Sequence, residues 1–156
     1  MKAEEYFFMY AFPCAHIIVE RRGMSEEEHE KLKKDFLEGK RLEKERLEKI
    51  FTAAFRRIKK LAERMGRDYW DFEVIKEYWD KEHNRLIDNN EDGYEKISES
   101  LKDLCRIIVA EVVKKIDNKL IVRYNGEERL VFSDLVPEAK VGDRVRIHYA
   151  YAVEKV

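Results

Sequence analysis

Apolar side chains in the first two thirds of the chain recur at steps of three and four residues, the period of a helix with one buried face. The clearest row runs from Leu47 to Met65, and Gly66 follows it as a natural stop. Ser25 with Glu28 three positions later is a capping-box pattern. The spacing predicts helices from Pro13 to Gly23, Ser25 to Glu38, Leu47 to Met65, Asp71 to Leu86, and Tyr94 to Leu104.

The period changes to that of β-strands in the last third of the chain. A continuous β-branched run from Ile107 to Val113 predicts a buried strand, and strict alternation from Arg144 to Glu154 predicts a half-buried one. Shorter strands are predicted at Leu120 to Tyr124 and Arg129 to Phe132, joined by the tight-turn pair Asn125-Gly126. We therefore predict an α+β fold with a helical domain over residues 1–104 and a small OB-like antiparallel β-barrel over residues 105–156.

The amino-acid composition indicates adaptation to high temperature. The chain has no Gln, a single Thr and 42% charged residues, which is typical of hyperthermophile proteins. Its net charge of −1 argues against a histone-like basic binder and against an acidic tail protein. The apolar run from Tyr6 to Val19 is too short to span a bilayer and does not read as a signal peptide, so we expect a cytoplasmic protein.

Common active-site motifs are missing from the sequence. It contains no Cys-x-x-Cys, no His-Glu-x-x-His and no glycine-rich phosphate loop. No convergent set of acids and bases is evident, which predicts that the protein is not an enzyme. One helix face carries a basic row that either binds nucleic acid or is simply solvated: Arg56, Lys59, Lys60 and Arg64.

Several segments of the last third resemble a known protein family. Leu135-Val136-Pro137, Val141-Gly142-Asp143-Arg144-Val145 and the closing stretch from His148 to Lys155 carry the resemblance. They are similar to the "Leu-Val-Pro", "Val-Gly-Asp-x-Val" and "Val-His-Val-Gly-Phe-Ala-Ile-Glu-Lys" segments of the HypC/HupF family of nickel–iron hydrogenase maturation chaperones. The resemblance covers residues 105–156, about a third of the chain. Residues 1–104 carry no such resemblance.

The resemblance implies a non-enzymatic hydrogenase maturation or accessory protein, whose barrel docks protein partners such as HypD. Family members carry iron on a Cys near the start of the domain, and Cys105 stands at that place, seven residues before Val112. His148 matches a family His considered as an iron-site partner. Cys105 and His148 are therefore expected to contact iron transiently, with no cofactor bound stably. The alternation places His148 on the outer, accessible face beside Arg144 and Arg146.

An OB-type barrel also suits a second function, the binding of single-stranded nucleic acid. Tyr124 is one of several aromatic residues that can stack on bases, and Arg144 and Arg146 can contact phosphates. The near-zero net charge favours a protein partner over a nucleic acid.

Overall fold

The computed structural model describes residues 1–20 and 23–156, except for the side chain of residue 16. The chain forms two compact units, Met1–Asp92 and Gly93–Val156. The first is helical and the second contains a closed β-barrel, which confirms the predicted α+β fold. The sequence pattern placed the division after residue 104, whereas the compact units divide between Asp92 and Gly93. The short helix before the barrel therefore belongs to the barrel unit.

Short helices build the first unit. They are α1 (Ala3–Ala11), α2 (Ala15–Glu20), α3 (Glu26–Leu37), α4 (Lys44–Ile50), α5 (Thr52–Met65), α6 (Phe72–Glu77) and α7 (His83–Asp88). Pro13 lies in a 3₁₀ turn, Phe12–Cys14, between α1 and α2, and a π-helical turn, Tyr78–Glu82, joins α6 to α7. The end of the helix predicted from Pro13 includes residues 21 and 22, which lie outside the described residues. Within the described residues, no helix has the length and hydropathy that a bilayer crossing requires.

Local sequence signals set several helix ends. The Ser25 hydroxyl accepts a hydrogen bond from the Glu28 N–H at 3.1 Å where α3 begins. The Asp71 carboxylate does the same for the Glu73 N–H at 2.9 Å where α6 begins. Gly66, with φ of 65°, ends α5 in the left-handed conformation that glycine adopts without strain. The predicted Ser25 cap and Gly66 stop are thus confirmed.

The continuous helix predicted from Leu47 to Met65 is wrong at one residue. Phe51 has φ of −99° and ψ of 54°, which ends α4 and precedes α5. Its side chain is buried, and its ring packs edge-on against Phe7 with 5.4 Å between the ring centroids. The turn brings this ring into the core, where aromatic burial offsets the loss of regular helical hydrogen bonds.

Aromatic rings dominate the core of the helical unit. The Phe7 ring lies 4.6 Å from that of Phe55 and 5.8 Å from that of Trp79, and all three side chains are buried. Tyr10 stacks on Trp79 at 5.8 Å. Because each ring buries a large apolar area, short helices reach a stable core through few residues.

The barrel unit has one α-helix and five strands among its described residues. They are α8 (Glu99–Cys105), β1 (Ile108–Ile116), β2 (Lys119–Tyr124), β3 (Glu127–Phe132), β4 (Arg144–His148) and β5 (Tyr151–Lys155), preceded by a 3₁₀ turn (Tyr94–Lys96). The helix starts later than predicted because the Ser98 hydroxyl caps it, accepting from the Leu101 N–H at 3.3 Å. Leu104, predicted to be on the buried row, is exposed.

The strands close into an OB-type barrel in the order β1-β2-β3-β5-β4, with β4 pairing back onto β1. Every pair is antiparallel except β3 and β5, which run parallel and meet only where Phe132 is paired with Tyr151. Asn125 and Gly126 both have positive φ, at 48° and 76°, which confirms the tight hairpin. Small and branched side chains fill the barrel: Ala110, Val112, Leu120, Val122, Val131, Val136, Ala139, Val145, Ile147 and Ala152.

Continuous burial of the first strand, predicted from Ile107 to Val113, is wrong. Ala110 and Val112 are buried, whereas Val109, which points to the other side of the pleated strand, is 38% exposed. The strand wall of the barrel has an outer side, so only alternate residues face the core. A bulge between Val112 and Lys114 then shifts the register against β2.

The single strand predicted from Arg144 to Glu154 is also wrong, because it is two strands of a hairpin. Tyr149 has φ of 53°, and the chain reverses there and at Ala150. His148 consequently pairs with Tyr151 across the two strands. In the sequence, the two alternating sets of residues continue without a break across the turn, so the sequence pattern gives no sign that the chain reverses.

Candidate functional site

Cys105, the last residue of α8, is held inside the barrel unit. Its side chain is 6% exposed, and its thiol donates a hydrogen bond to the Tyr149 hydroxyl at 3.2 Å. The Leu104 carbonyl accepts from the Tyr149 N–H at 3.0 Å. These two bonds tie the end of α8 to the β4–β5 turn and hold Tyr149 in its left-handed conformation.

The predicted exposure of His148 is wrong. Because the chain turns at Tyr149, the alternation of buried and exposed side chains along β4 ends at Ile147. The His148 side chain has no exposed surface. Its ring centroid lies 5.7 Å from that of Tyr149. The structure therefore brings Cys105 and His148 onto the same neighbour, Tyr149, but in the interior rather than on an accessible face.

The described residues do not fit a metal site at this place. Neither Cys14 nor Cys105 is in a disulfide bond, and no group of three or more His, Cys, Asp or Glu side chains in the described part of the chain is placed to hold a metal ion. An iron carrier needs a thiolate that its partner can reach. The Cys105 thiol instead donates a hydrogen bond to the buried hydroxyl of Tyr149. Iron contact at Cys105 and His148 stays a prediction that this geometry does not support.

Arg144 and Arg146 lie on the outer side of the barrel, as predicted, among acidic neighbours. Arg144 is exposed and pairs in register with Glu111 of β1. Arg146 is half-buried and pairs in register with Glu154 of β5. Alternating signs across adjacent strands favour a stable outer wall more than a cationic surface for phosphates.

Tyr124, the third predicted barrel-face residue, is covered by an arginine. The Arg129 guanidinium lies over the Tyr124 ring with 5.3 Å between its central carbon and the ring centroid. Tyr124 also packs against the barrel core. One face of this ring is therefore occupied by a cation, and stacking of a base there would displace it.

An apolar patch that sequence analysis missed lies on the outer side of β1, β2 and β3. Two rows cross these strands in register: Lys114, Ile121, Leu130 and Ile116, Lys119, Phe132, which we call the β1–β2–β3 face. Leu130 is 55% exposed and Ile116 is 43% exposed. Apolar residues on both sides of β3 were the signal in the sequence, since Leu130 and Phe132 alternate with the buried Val131.

Three of the four basic side chains in the row on the helix surface contact carboxylates. Asp92 contacts Arg56 at 3.2 Å and Lys60 at 3.6 Å, and Glu82 contacts Arg64 at 2.6 Å. The row is therefore part of an ion-pair network within the helical unit, as the solvated-face interpretation predicts.

Neither a protein-family model nor a curated protein matches this chain.

Proposed function

We propose that this protein is a non-enzymatic accessory protein whose barrel docks a protein partner through the β1–β2–β3 face. The observation that supports it is the exposure of Leu130 beside Ile121 on a rigid sheet, with Ile116 in the next row. Contiguous exposed apolar side chains with a polar rim are typical of protein interaction sites.

The chemistry of the face favours a protein over a nucleic acid. Its most exposed apolar residues, Leu130 and Ile116, are aliphatic and have no ring on which a base can stack. The Phe132 ring already packs against Tyr151 at 5.4 Å, and Tyr149 is buried. Few aromatic faces therefore remain for bases.

The partner that we propose is a hydrogenase assembly protein, on the strength of the resemblance of residues 105–156 to the HypC/HupF family. Lys114 and Lys119 lie among the apolar residues of the face, and these two rows contain no acid. A partner surface with apolar side chains and carboxylates complements that arrangement.

Complex formation between purified proteins tests this function. The protein is mixed separately with HypD and with the hydrogenase large-subunit precursor, and sedimentation velocity reports whether a complex forms. We expect a complex with at least one of them, retained in Cys105→Ala because the thiol is buried. Loss of the complex in a folded Cys105→Ala variant would assign the thiol a role in docking. Absence of a complex with both proteins would contradict the proposed function.

A further inference from the structure

The backbone of β3 has an unpaired edge on the side opposite β2. The Ser133 N–H donates to the Asn118 carbonyl, toward β2, whereas the Phe132 N–H donates to the Ala150 carbonyl on the other side. Backbone groups alternate in direction along a strand. Leu130 and Glu128 therefore direct their N–H and C=O groups away from β2, in the same direction as Phe132.

No strand of the described chain pairs with this edge beyond Phe132. The parallel contact between β3 and β5 is limited to Phe132 and Tyr151. The backbone groups of Leu130 and Glu128 have no hydrogen-bond partner within residues 1–20 and 23–156. The barrel thus presents two residues of open strand edge, and one of them carries the most exposed apolar side chain of the β1–β2–β3 face.

An incompletely satisfied arginine lies beside this edge. Arg129 donates through Nη1 to the Tyr149 carbonyl at 3.4 Å, while its Nε and Nη2 atoms are buried without an acceptor among the described residues. No carboxylate in that part of the chain lies within salt-bridge distance of Arg129. Nε and Nη2 form the side of a guanidinium that binds a carboxylate in a bidentate manner.

We propose that the β3 edge receives an extended segment of the protein partner, which adds as a strand beside Leu130 and Glu128 and places a carboxylate against Arg129. This inference rests on the proposed function and specifies how docking occurs. Strand addition takes its affinity from main-chain hydrogen bonds and its specificity from side chains. The partner's carboxylate supplies the acceptor that Nε and Nη2 of Arg129 lack, once the Arg129 side chain turns toward the edge.

The charges around the edge select a partner of this kind. Glu128 is neutralised by Arg123, whose guanidinium contacts it at 2.8 Å, so Arg129 is the unpaired charge in the middle of the strand. A second copy of the chain fits less well. An antiparallel register that pairs Leu130 with Glu128 of a second copy places the two Arg129 side chains opposite one another, and like charges in such pairs are destabilising.

Amide hydrogen exchange, resolved by residue, tests the inference on the wild-type protein alone and mixed with HypD or the large-subunit precursor. In the free protein the Leu130 and Glu128 amides should exchange fast, and the Arg129 and Val131 amides, bonded to β2, should exchange slowly. In the complex we expect the Leu130 and Glu128 amides to become protected.

Each other outcome overturns the inference in a distinguishable way. A complex that leaves the Leu130 and Glu128 amides unprotected refutes strand addition but leaves docking intact. Protection that grows with protein concentration and without partner assigns the edge to a second copy. Absence of any complex refutes the proposed function and, with it, this inference.

Arg129→Met tests the carboxylate separately. Because Met removes two buried nitrogen atoms, Nε and Nη2, that have no acceptor among the described residues, the thermal midpoint of the free protein should stay the same or rise. Affinity for the partner should fall roughly thirtyfold or more. The control Arg144→Met removes an exposed charge on β4, paired in register with Glu111 and away from β3, and should change affinity by less than about threefold. Equal effects of the two substitutions would contradict a carboxylate at Arg129.

Discussion

The hydrogen bond between the Cys105 thiol and the Tyr149 hydroxyl shows how one residue's setting changes its chemistry. Sequence comparison singled out Cys105 by its position, and the structure places it at the end of α8. Its hydrogen-bond partner could not be predicted, because Tyr149 lies 44 positions away in the chain. The turn at Tyr149 also buries His148, so the prediction that His148 lies on an accessible face is wrong.

The two cysteines should therefore differ in reactivity toward a soluble thiol reagent. Both thiols donate a hydrogen bond at 3.2 Å, but Cys105 is 6% exposed whereas Cys14 is partly exposed. Labelling of the native Cys14→Ser variant, which retains only Cys105, should be at least about a hundredfold slower than labelling of Cys105→Ser, since it waits for local opening. Rates that agree within a fewfold would mean that the Cys105 thiol is accessible in solution.

Asp92 provides a residue whose charge contributes to stability in a defined pH range. Burial raises the pKa of its carboxyl, but hydrogen bonds and charges of Arg56 and Arg57 outweigh that effect and lower the pKa from 3.8 to about 2. A carboxyl with a lowered pKa in the folded state stabilises it above pH 3.8, and this contribution is lost as the pH falls toward 2. From the shift, its size is about 2 kcal/mol.

Urea unfolding of Asp92→Asn at several pH values measures this contribution. At pH 7 the variant should be about 2 kcal/mol less stable than the wild type, and the difference should shrink below pH 3.8. Glu30→Gln, at an exposed carboxylate of α3, is the control and should change stability little. A difference for Asp92→Asn that is constant down to pH 2 would exclude the ionic contribution.

Two turns of the barrel show which elements local sequence predicts. Asn125-Gly126 was predicted because both residue types adopt positive φ readily. The turn at Tyr149 was not, because an aromatic residue adopts positive φ only when tertiary contacts hold it there, in this case those with Leu104 and Cys105. The helix break at Phe51 has the same origin, since its cause is a ring packed on Phe7.

The hairpin prediction can be tested by substituting the glycine. Gly126 has φ of 76°, and no heavy atom lies near the position of an added Cβ, so the effect of alanine is purely conformational. Gly126→Ala should lower the free energy of unfolding by about 1–2 kcal/mol, the cost of left-handed backbone for alanine. Glu127→Ala at the next position, in extended backbone, should change it by less than about 0.5 kcal/mol. Equal effects would show that the turn conformation is not required.

At the scale of the whole molecule, the balanced net charge of −1 is distributed as local ion pairs rather than as charged surfaces. Asp92 forms ion pairs with three basic side chains of α5, and Glu82 forms ion pairs with both Arg64 and Arg85. The composition predicted such networks, but not the pairs around Asp92 and Glu82, because Arg56, Arg57, Lys60 and Arg64 are distant from these two acids in sequence. The OB-like barrel was predicted from the sequence, whereas its strand order and its apolar outer face were not.

This charge distribution predicts negligible binding of nucleic acid. Fluorescence anisotropy of a labelled single-stranded oligonucleotide at low salt should show a Kd no tighter than about 10 µM, because the net charge is −1 and three basic side chains of α5 share the Asp92 carboxylate. Tight binding that weakens steeply with added salt would favour the nucleic-acid function over protein docking.

The affinity of a docking-face variant for its hydrogenase assembly partner, measured by isothermal titration calorimetry, tests the central claim most directly. Leu130→Glu places a charge at the most exposed apolar residue of the β1–β2–β3 face, and Val141→Glu places one at an apolar loop residue that is 60% exposed. Both variants should fold like the wild type. We predict that Leu130→Glu weakens binding roughly thirtyfold or more and that Val141→Glu weakens it less than about threefold. Unchanged affinity in Leu130→Glu, or an equal loss in both variants, would contradict docking through this face.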